Sequence, residues 1–281
     1  MAFQLWQVGL AIEDGTLRAL ALQPRRRGWQ LRHWWQHRLP DPPQDDCAAP
    51  QAGLRDILRA WRRQLPGSIS LRVCLPMHLI SQRRMAAPDK RLGEPERGWF
   101  IAARAGRHFT PAGEKLLLDY RADPYLPHTL LVTAARQCAV AQWLDCLTDA
   151  GLAPQVLDIM PCALRYMAGE AGLAADRLLI HAGQRGWSWV SPLAQPLQFG
   201  VIPAEYAGDI SRARRFIAQH YTGMEHLENR PYFSSETRMA APAGALPWSP
   251  FAALWQAFPP IPEWPAAYAV AGGLAVRRED A

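Results

Sequence analysis

Apolar residues alternate with other residues near the beginning of this 281-residue chain, with the period of a half-buried β-strand. The alternation covers residues 6–12, resumes over residues 16–23 after a turn at Glu13-Asp-Gly15, and returns over residues 29–35. Segments of this kind that are joined by a short turn pair as hairpins. The sequence therefore predicts that the fold begins with a β-hairpin and a third strand.

A helix and a fourth strand follow. Apolar residues recur at helical spacing over residues 54–65, and Pro66-Gly67 ends that pattern before a strand at residues 69–75. The same reasoning predicts strands at 115–121, 129–133, 155–159, 178–180 and 197–202, a hairpin across 183–186, helices at 94–106, 135–150, 162–169, 205–221 and 266–276, and a proline-rich loop at 240–265. This mixture of elements places the chain in the α/β class.

The net charge of +6 and the twelve tryptophans raise the hypothesis of nucleic-acid binding. Lys90 and Lys115 are the only lysines, and the many arginines are dispersed along the chain. The densest basic clusters, at residues 25–27 and 212–215, lack the interleaved aromatic residues that stack on bases. We therefore predict no direct binding to nucleic acid.

The five cysteines are scattered and never spaced as Cys-x-x-Cys, which argues against a zinc site or a disulfide framework. No segment approaches the ~20 apolar residues that a membrane-spanning helix needs. Residues 1–15 contain no Lys or Arg, unlike the start of a secretory signal. These features predict a cytoplasmic protein.

Three parts of the sequence carry a family resemblance. They are the middle block, with Thr133-Ala-Ala-Arg136, residues 149–152 and residues 156–165, together with the opening residues 1–10 and the closing residues 269–275. On these residues the chain resembles the PilM family of type IV pilus assembly proteins, and within it the HofM branch of DNA-utilisation proteins. The predicted order β-β-β-α-β is also that of the opening half of an actin-like subdomain.

The resemblance implies an actin-like α/β fold of the FtsA and PilM type, with two lobes, an inserted subdomain and a reduced second lobe. It assigns residues 1–82 and 156–178 to the core lobe, 83–155 to the inserted, 1C-like subdomain, 179–265 to the second lobe and 266–281 to a helix that returns to the core. These bounds are expectations that follow from the family.

The family also implies ATP and Mg²⁺ between the lobes, held by two phosphate hairpins and an adenosine loop. When the family pattern is laid without gaps on the first hairpin, its metal-handling Asp becomes Ala11 and a Gly becomes Glu13. A carboxylate at that position repels the phosphate that the loop should hold. A slipped register over Glu13-Asp14-Gly15-Thr16 instead restores a pattern close to Asp-x-Gly-Thr, and this alternative stays open.

The second phosphate hairpin and the adenosine loop also differ from the family pattern. The second hairpin should read Asp-x-Gly but reads His181-Ala-Gly183, and Ser234 and Ser235 stand where the adenosine loop has paired glycines. Because three elements depart together, we predict a degenerate nucleotide site, no cofactor and no catalytic residue. An active actin-like ATPase or small-molecule kinase is the alternative, and the phosphate loops decide between the two.

The family further implies a partner. Its groove between the core and the inserted subdomain takes the cytoplasmic N-terminal tail of a bitopic, PilN-like membrane protein. The chain would then be peripheral to the inner membrane through that protein alone, while self-association as a homo-oligomer is left open. We expect the groove near six residues: Leu79, Ile80, Arg83, Arg84, Leu118 and Tyr120.

Other polar residues have structural interpretations. His33 and His37 lie four apart on a predicted strand among tryptophans, which favours packing over metal binding, so we predict no metal site. Asp119 is equally explained by the end of a strand. The sequence contains no Gly-x-Ser-x-Gly, no phosphate-binding P-loop and no His-Glu-x-x-His motif.

Overall fold

A computed structural model describes residues 5–13, 15–39, 53–75, 77–107, 109, 115–123, 126–184, 186–221 and 227–278. The chain divides into two compact units. Unit 1 comprises Met1–Pro42, Arg63–Pro76 and Pro154–Ala281, and unit 2 comprises Pro43–Arg62 and Met77–Ala153.

The elements of the described residues are as follows. The strands are β1 (Trp6–Glu13), β2 (Thr16–Arg25), β3 (Gly28–Arg38), β4 (Ile69–Cys74), β5 (Ile80–Ala86), β6 (Leu116–Ala122), β7 (Thr129–Arg136), β8 (Pro154–Asp158), β9 (Leu179–Ala182), β10 (Trp187–Val190), β11 (Phe199–Ile202), β12 (Tyr232–Ser235), β13 (Leu246–Pro247) and β14 (Leu254–Gln256). The α-helices are α1 (Leu54–Arg62), α2 (Glu96–Ala105), α3 (Gln137–Asp149), α4 (Met160–Glu170), α5 (Ile210–Ala218) and α6 (Ala269–Val276).

The first sheet of unit 1 has the strand order β14-β3-β2-β1-β4-β8. β1, β2 and β3 are antiparallel, as the alternating pattern predicts, whereas β4 and β8 run parallel to β1. Helix α6 is buried at every residue and packs against β1 and α4, as expected for a helix that is apolar all round. The close approach of α6 to β1 requires a glycine at position 9. A Cβ there would lie 2.7 Å from Ala275 N and nearer still to Ala271 O.

The second sheet of unit 1 has the order β11-β10-β9-β12-β13. β9, β10 and β11 form an antiparallel meander, and β12 joins β9 in parallel. Helix α5 buries Ile210, Ala213 and Ile217 in the core of this sheet, at the spacing of one helix face. The Asp209 side chain caps the helix by accepting a hydrogen bond from Ser211 N at 2.7 Å.

Unit 2 contains an antiparallel three-stranded sheet with the order β5-β7-β6. Helix α2 places Ile101 and Ala105 against Met85, Leu130 and Val132 on one face of that sheet. Helices α1 and α3 belong to the same unit and contact each other. Among the described residues of the whole chain, no helix is long and apolar enough to cross a membrane.

Some elements differ from the sequence-based expectation. Strand β5 was not predicted, because its Arg83-Arg84 pair interrupts the alternation of apolar residues. Helix α5 is shorter than the predicted 205–221, since residues 204–208 form turns and Gly208 has a φ of +91°. The segment 240–265, predicted as a loop, contributes the short strands β13 and β14 and a 3₁₀ turn at Pro250–Ala253.

Candidate functional site

The candidate site lies in unit 1, where the turn between β1 and β2 meets the second sheet. In the register of the first hairpin, Glu13 pairs with Thr16 and Ala11 pairs with Arg18. Directly paired residues point to the same face of a sheet. Glu13, Thr16 and Arg18 therefore share one face, and the small side chain of Ala11 stands opposite the long side chain of Arg18.

The second sheet contributes His181 from β9 and the residues around the end of β12. His181 pairs with Ser234, and its Nδ1 lies 2.8 Å from Ser234 Oγ. Glu236 follows β12 directly, and its backbone N–H donates to Ala182 O at 2.9 Å. Strand pairing thus sets both side chains into the space that Glu13 and Arg18 face.

These groups form a buried cluster of charges. His181 Nε2 lies 3.8 Å from Glu13 Oε2 and 3.9 Å from Glu236 Oε1, which are ion-pair distances and too long for hydrogen bonds. Arg18 NH1 lies 3.2 Å from Glu236 Oε2, and Arg18 NH2 donates to the Glu236 carbonyl at 3.1 Å. We call Glu13, His181 and Glu236 the Glu–His–Glu cluster, and Arg18 is its cationic neighbour.

Burial and mutual charge shift the titration of the Glu–His–Glu cluster. Burial, reinforced by the nearby Glu236, raises the pKa of Glu13 from 4.5 to about 8. Burial alone would lower the pKa of His181, but the carboxylates of Glu13 and Glu236 raise it from 6.5 to about 9. Burial would raise the pKa of Glu236, but its contacts with Glu13, His181 and Arg18 lower it to about 2.

The structure brings most of the predicted nucleotide-site residues close to this cluster. Gln184, in the β9–β10 turn, donates from Nε2 to Thr16 Oγ1 at 2.9 Å and so links the two predicted phosphate hairpins. Gly183 lies in the same turn, where its N–H donates to Gly186 O. Gly15 has a φ of +74°, which favours glycine in the first hairpin, whereas Asp14 lies outside the described residues.

Ser234 and Ser235 lie within strand β12 and not in a loop after it. Ser235 is buried; its hydroxyl contacts Ala182 O at 3.4 Å and accepts from Thr237 N at 3.2 Å. Trp264 Nε1 donates to Ser235 O at 2.8 Å. These contacts are therefore made to the protein itself, at the position predicted for an adenosine loop.

The residues present do not fit Mg-ATP. Glu13 and Glu236 lie beside His181, at the hairpins that the family resemblance assigns to the triphosphate. The pKa of Glu236 is lowered, so its carboxylate is charged and repels a phosphate. The arginine of the site, Arg18, is already paired with Glu236. Ala11 offers no oxygen to a metal ion. A nucleotide at these hairpins would therefore have to displace ion pairs that the protein makes with itself.

Two members of the site, Arg18 and Glu236, were missed from the sequence. The available signal was weak: Arg18 is a lone charge inside the apolar run of β2, where all residues from Thr16 to Gln23 are buried. A charge in such a run must have a partner. Its partner Glu236 is distant in sequence and could not be identified without the fold.

A cavity of about 300 Å³ opens beside Glu236. Trp34 and Tyr268 on its wall meet edge to face with ring centroids 5.9 Å apart. The lining residues are Trp34, Gln36, Glu236, Arg238, Pro262, Glu263, Trp264, Ala267 and Tyr268. One member of the cluster, Glu236, thus borders an aromatic cavity.

The six residues of the predicted partner groove do not form one surface in unit 2. Arg83 and Tyr120 both pair with Val132, so they lie on the face that α2 covers, and Leu118 is on this face too. Arg84 and Ile80 lie on the opposite face, because the side chains of consecutive strand residues alternate. Leu79 precedes β5 in a 3₁₀ turn.

Contacts also account for the other candidate residues. The His37 ring stacks on Trp35 with centroids 5.9 Å apart, and His33 pairs with Ala21 within the first sheet. Tyr120 donates its hydroxyl proton to Glu94 Oε1 at 2.6 Å, and Asp119 is exposed on β6. These positions agree with structural roles.

Comparisons with known proteins bear on fold and relationship. No family model matches the chain. It is 29% identical over 147 residues to the DNA utilization protein HofM of Escherichia coli (strain K12), a match that spans 51% of this chain and only about half, 56%, of that protein.

Two solved structures share its fold. A chain of the PilM-PilN type IV pilus biogenesis complex matches with a TM-score of 0.67 and 18% identity over 98% of both chains. The cytoplasmic domain of EpsL, an inner membrane component of the type II secretion system of Vibrio cholerae, matches with a TM-score of 0.56 and 9% identity over 97% of this chain and 95% of that one. These matches confirm the predicted actin-like α/β fold of the PilM type. The chain therefore shares the PilM fold over nearly its whole length and is similar in sequence to HofM over about half of it.

Proposed function

We propose that this chain is a non-catalytic cytoplasmic scaffold of a type IV pilus-like or DNA-uptake machine. In this proposal it binds the cytoplasmic N-terminal tail of a PilN-like inner-membrane protein and is held at the membrane through that protein. The observation that carries the proposal is the likeness, over 98% of the chain, to a chain of the PilM-PilN complex. The relationship to HofM supports a role connected with DNA utilisation.

The Glu–His–Glu cluster supports the non-catalytic part of the proposal. An actin-like ATPase needs a metal-bound triphosphate and groups that stabilise its charge. In this chain, Glu13 and Glu236 lie at the hairpins that the family resemblance assigns to the triphosphate, and the guanidinium of Arg18 is already ion-paired with Glu236. Calorimetry with Mg-ATP should therefore show no saturable heat at tens of micromolar nucleotide. Tight binding of Mg-ATP would refute the non-catalytic part without touching the scaffold part.

For the tail, we propose a surface on the face of the three-stranded sheet that α2 leaves uncovered. Ile80, Ala135 and Leu117 pair across β5, β7 and β6, so they form one apolar row on this face. Leu117 is 44% exposed, and the other two are partly exposed. Exposed apolar side chains in a continuous row are typical of a surface that binds a peptide. This row replaces the groove expected from the sequence, whose residues are split between the two faces.

The test is fluorescence polarisation with a labelled synthetic peptide that corresponds to the N-terminal tail of the PilN-like protein encoded beside this chain. We expect saturable binding that Leu117→Asp weakens at least tenfold, because a charge in the apolar row must be desolvated. Val201→Asp is the matched control, since Val201 is an exposed strand residue of unit 1, on β11. Absence of binding would refute the proposed partner, and equal effects of the two substitutions would refute the proposed surface.

A further inference from the structure

We propose that the Glu–His–Glu cluster is a binding site for a divalent transition-metal ion, of which Zn²⁺ is the best-fitting example. Glu13, His181 and Glu236 each offer one ligand atom, and these atoms all lie within 4.8 Å of one another. The proposal replaces the sequence-based expectation of no metal. It does not depend on the proposed scaffold function.

The spacing of the ligand atoms suits a small ion. In a tetrahedral zinc site with bonds of about 2.1 Å, neighbouring ligand atoms are about 3.4 Å apart. His181 Nε2 lies 3.8 Å from Glu13 Oε2 and 3.9 Å from Glu236 Oε1. Both distances from the histidine nitrogen therefore exceed the ideal spacing by only a few tenths of an ångström.

His181 is oriented as a metal ligand should be. Its side chain is only 3% exposed, and among the described residues no hydrogen-bond partner reaches Nε2, which points between the two carboxyl groups. The other ring nitrogen, Nδ1, is held by Ser234 Oγ at 2.8 Å. Histidine ligands ordinarily have their second nitrogen fixed in this way, which sets the ring orientation. A buried ring nitrogen that makes no hydrogen bond is costly unless something binds it.

The charges around the site favour a divalent ion. Two carboxylates balance an M²⁺ ion, and Arg18 binds Glu236 through Oε2, which leaves Oε1 facing His181. A metal ion binds the neutral imidazole and the two carboxylates, so it competes with protons for these three side chains.

The ligand set narrows the choice of metal. One imidazole and two carboxylates suit Zn²⁺ and Mn²⁺, whereas the site offers no thiolate for soft metals and too few oxygens for Ca²⁺. One of the three ligand side chains, Glu236, also lines the aromatic cavity of about 300 Å³. The identity of the ligand side chains, the spacing of their atoms and the orientation of the histidine are therefore all consistent with a zinc site.

The test uses the full chain, purified with a chelator and then dialysed. Isothermal titration with ZnCl₂ should show one saturable site, and the thermal unfolding midpoint should rise with Zn²⁺ because the folded state alone holds all three ligands. His181→Gln should weaken Zn²⁺ binding at least tenfold. His220→Gln is the matched control, since His220 is an exposed histidine bonded to Phe216 O, and it should bind like the unchanged protein.

A second variant keeps the test decisive if His181→Gln fails to fold. Ser234→Ala removes only the group that orients His181, and loss of such an orienting contact typically costs about 10–100-fold in metal affinity. X-ray absorption of the zinc-loaded protein should show one nitrogen donor of imidazole type with oxygen donors. Absence of saturable binding, or binding that neither His181→Gln nor Ser234→Ala weakens, would overturn the proposal.

Discussion

Gly272 and Gly273 are adjacent in α6 but meet different neighbours, which allows a matched prediction. A Cβ on Gly273 would lie 3.0 Å from Ala163 Cα and closer still to the carbonyl carbon and oxygen of Ala163, all backbone atoms of α4. A Cβ on Gly272 would meet Met167 Sδ at 2.7 Å, the far end of a flexible side chain. Gly273→Ala must therefore push two helices apart. Gly272→Ala needs a rotamer change of Met167 and a shift of a few tenths of an ångström at Pro250, whose Cβ would lie 3.2 Å away.

The magnitudes follow from these neighbours. Overpacking a core costs about 1–3 kcal/mol, and backbone atoms that cannot rotate away place Gly273→Ala at about 3 kcal/mol or more. Gly272→Ala gains about 1 kcal/mol of helix propensity, which offsets part of the strain, so its net effect should stay within about 1 kcal/mol.

Urea unfolding followed by circular dichroism measures both effects. With an m-value of about 2–3 kcal/mol/M, the midpoint of Gly273→Ala should fall by about 1 M or more, while that of Gly272→Ala should hardly move. Equal midpoints for the two variants would mean that α6 and α4 do not touch backbone to backbone at Gly273, and the reasoning would fail.

Three further predictions concern the charged cluster. Arg18→Met should lower the free energy of unfolding, measured in urea, by about 3–5 kcal/mol, because it removes the ion-pair partner of the buried Glu236 carboxylate. The double variant Arg18→Met/Glu236→Gln should lose much less. A loss below about 1 kcal/mol in Arg18→Met would contradict this prediction. Folding raises the pKa of Glu13 from 4.5 to about 8 and that of His181 from 6.5 to about 9. The folded state therefore binds these protons more tightly than the unfolded state, and this contribution to stability is complete at low pH and is lost as pH rises through the two folded-state pKa values. With chelator present, the thermal unfolding midpoint should therefore decrease as the pH is raised from about 5 to about 9. The decrease should be less steep in Glu13→Gln, and an increase would refute the prediction. Ala11→Asp with Glu13→Gly should gain measurable Mg-ATP affinity in calorimetry if the ungapped register of the first hairpin is correct, and no gain would favour the slipped register.

The periodic spacing of apolar residues predicted those strands and helices that bury one face and expose the other. The first three strands were evident because their apolar residues alternate, and the turn at Gly15 was marked by its glycine. Strand β5 was not evident, because its Arg83-Arg84 pair conceals the alternation. Without that strand, the opposite directions of the two arginine side chains could not be deduced, and the predicted groove combined residues of both faces.

The candidate site was predicted in part. Glu13, His181 and Ser234 were singled out by comparison with a nucleotide-binding pattern, and the structure brings them together through strand pairing. The sequence could not show that they would meet Arg18 and Glu236, since ion pairs between distant residues leave no local pattern. The ion pairs of the site were therefore visible only in three dimensions.

The packing of α6 on β1 has a consequence for biosynthesis. The helix backbone that covers Gly9, at Ala271 and Ala275, lies 262 and 266 residues after it in the sequence. Contacts so distant along the chain form slowly, because a long loop must close before they contribute. Until then β1 and β2 expose apolar side chains that are fully buried in the folded protein. The hairpin of β1 and β2 therefore stays exposed while the residues between it and α6 are synthesised, and exposed apolar segments of this kind are prone to aggregate.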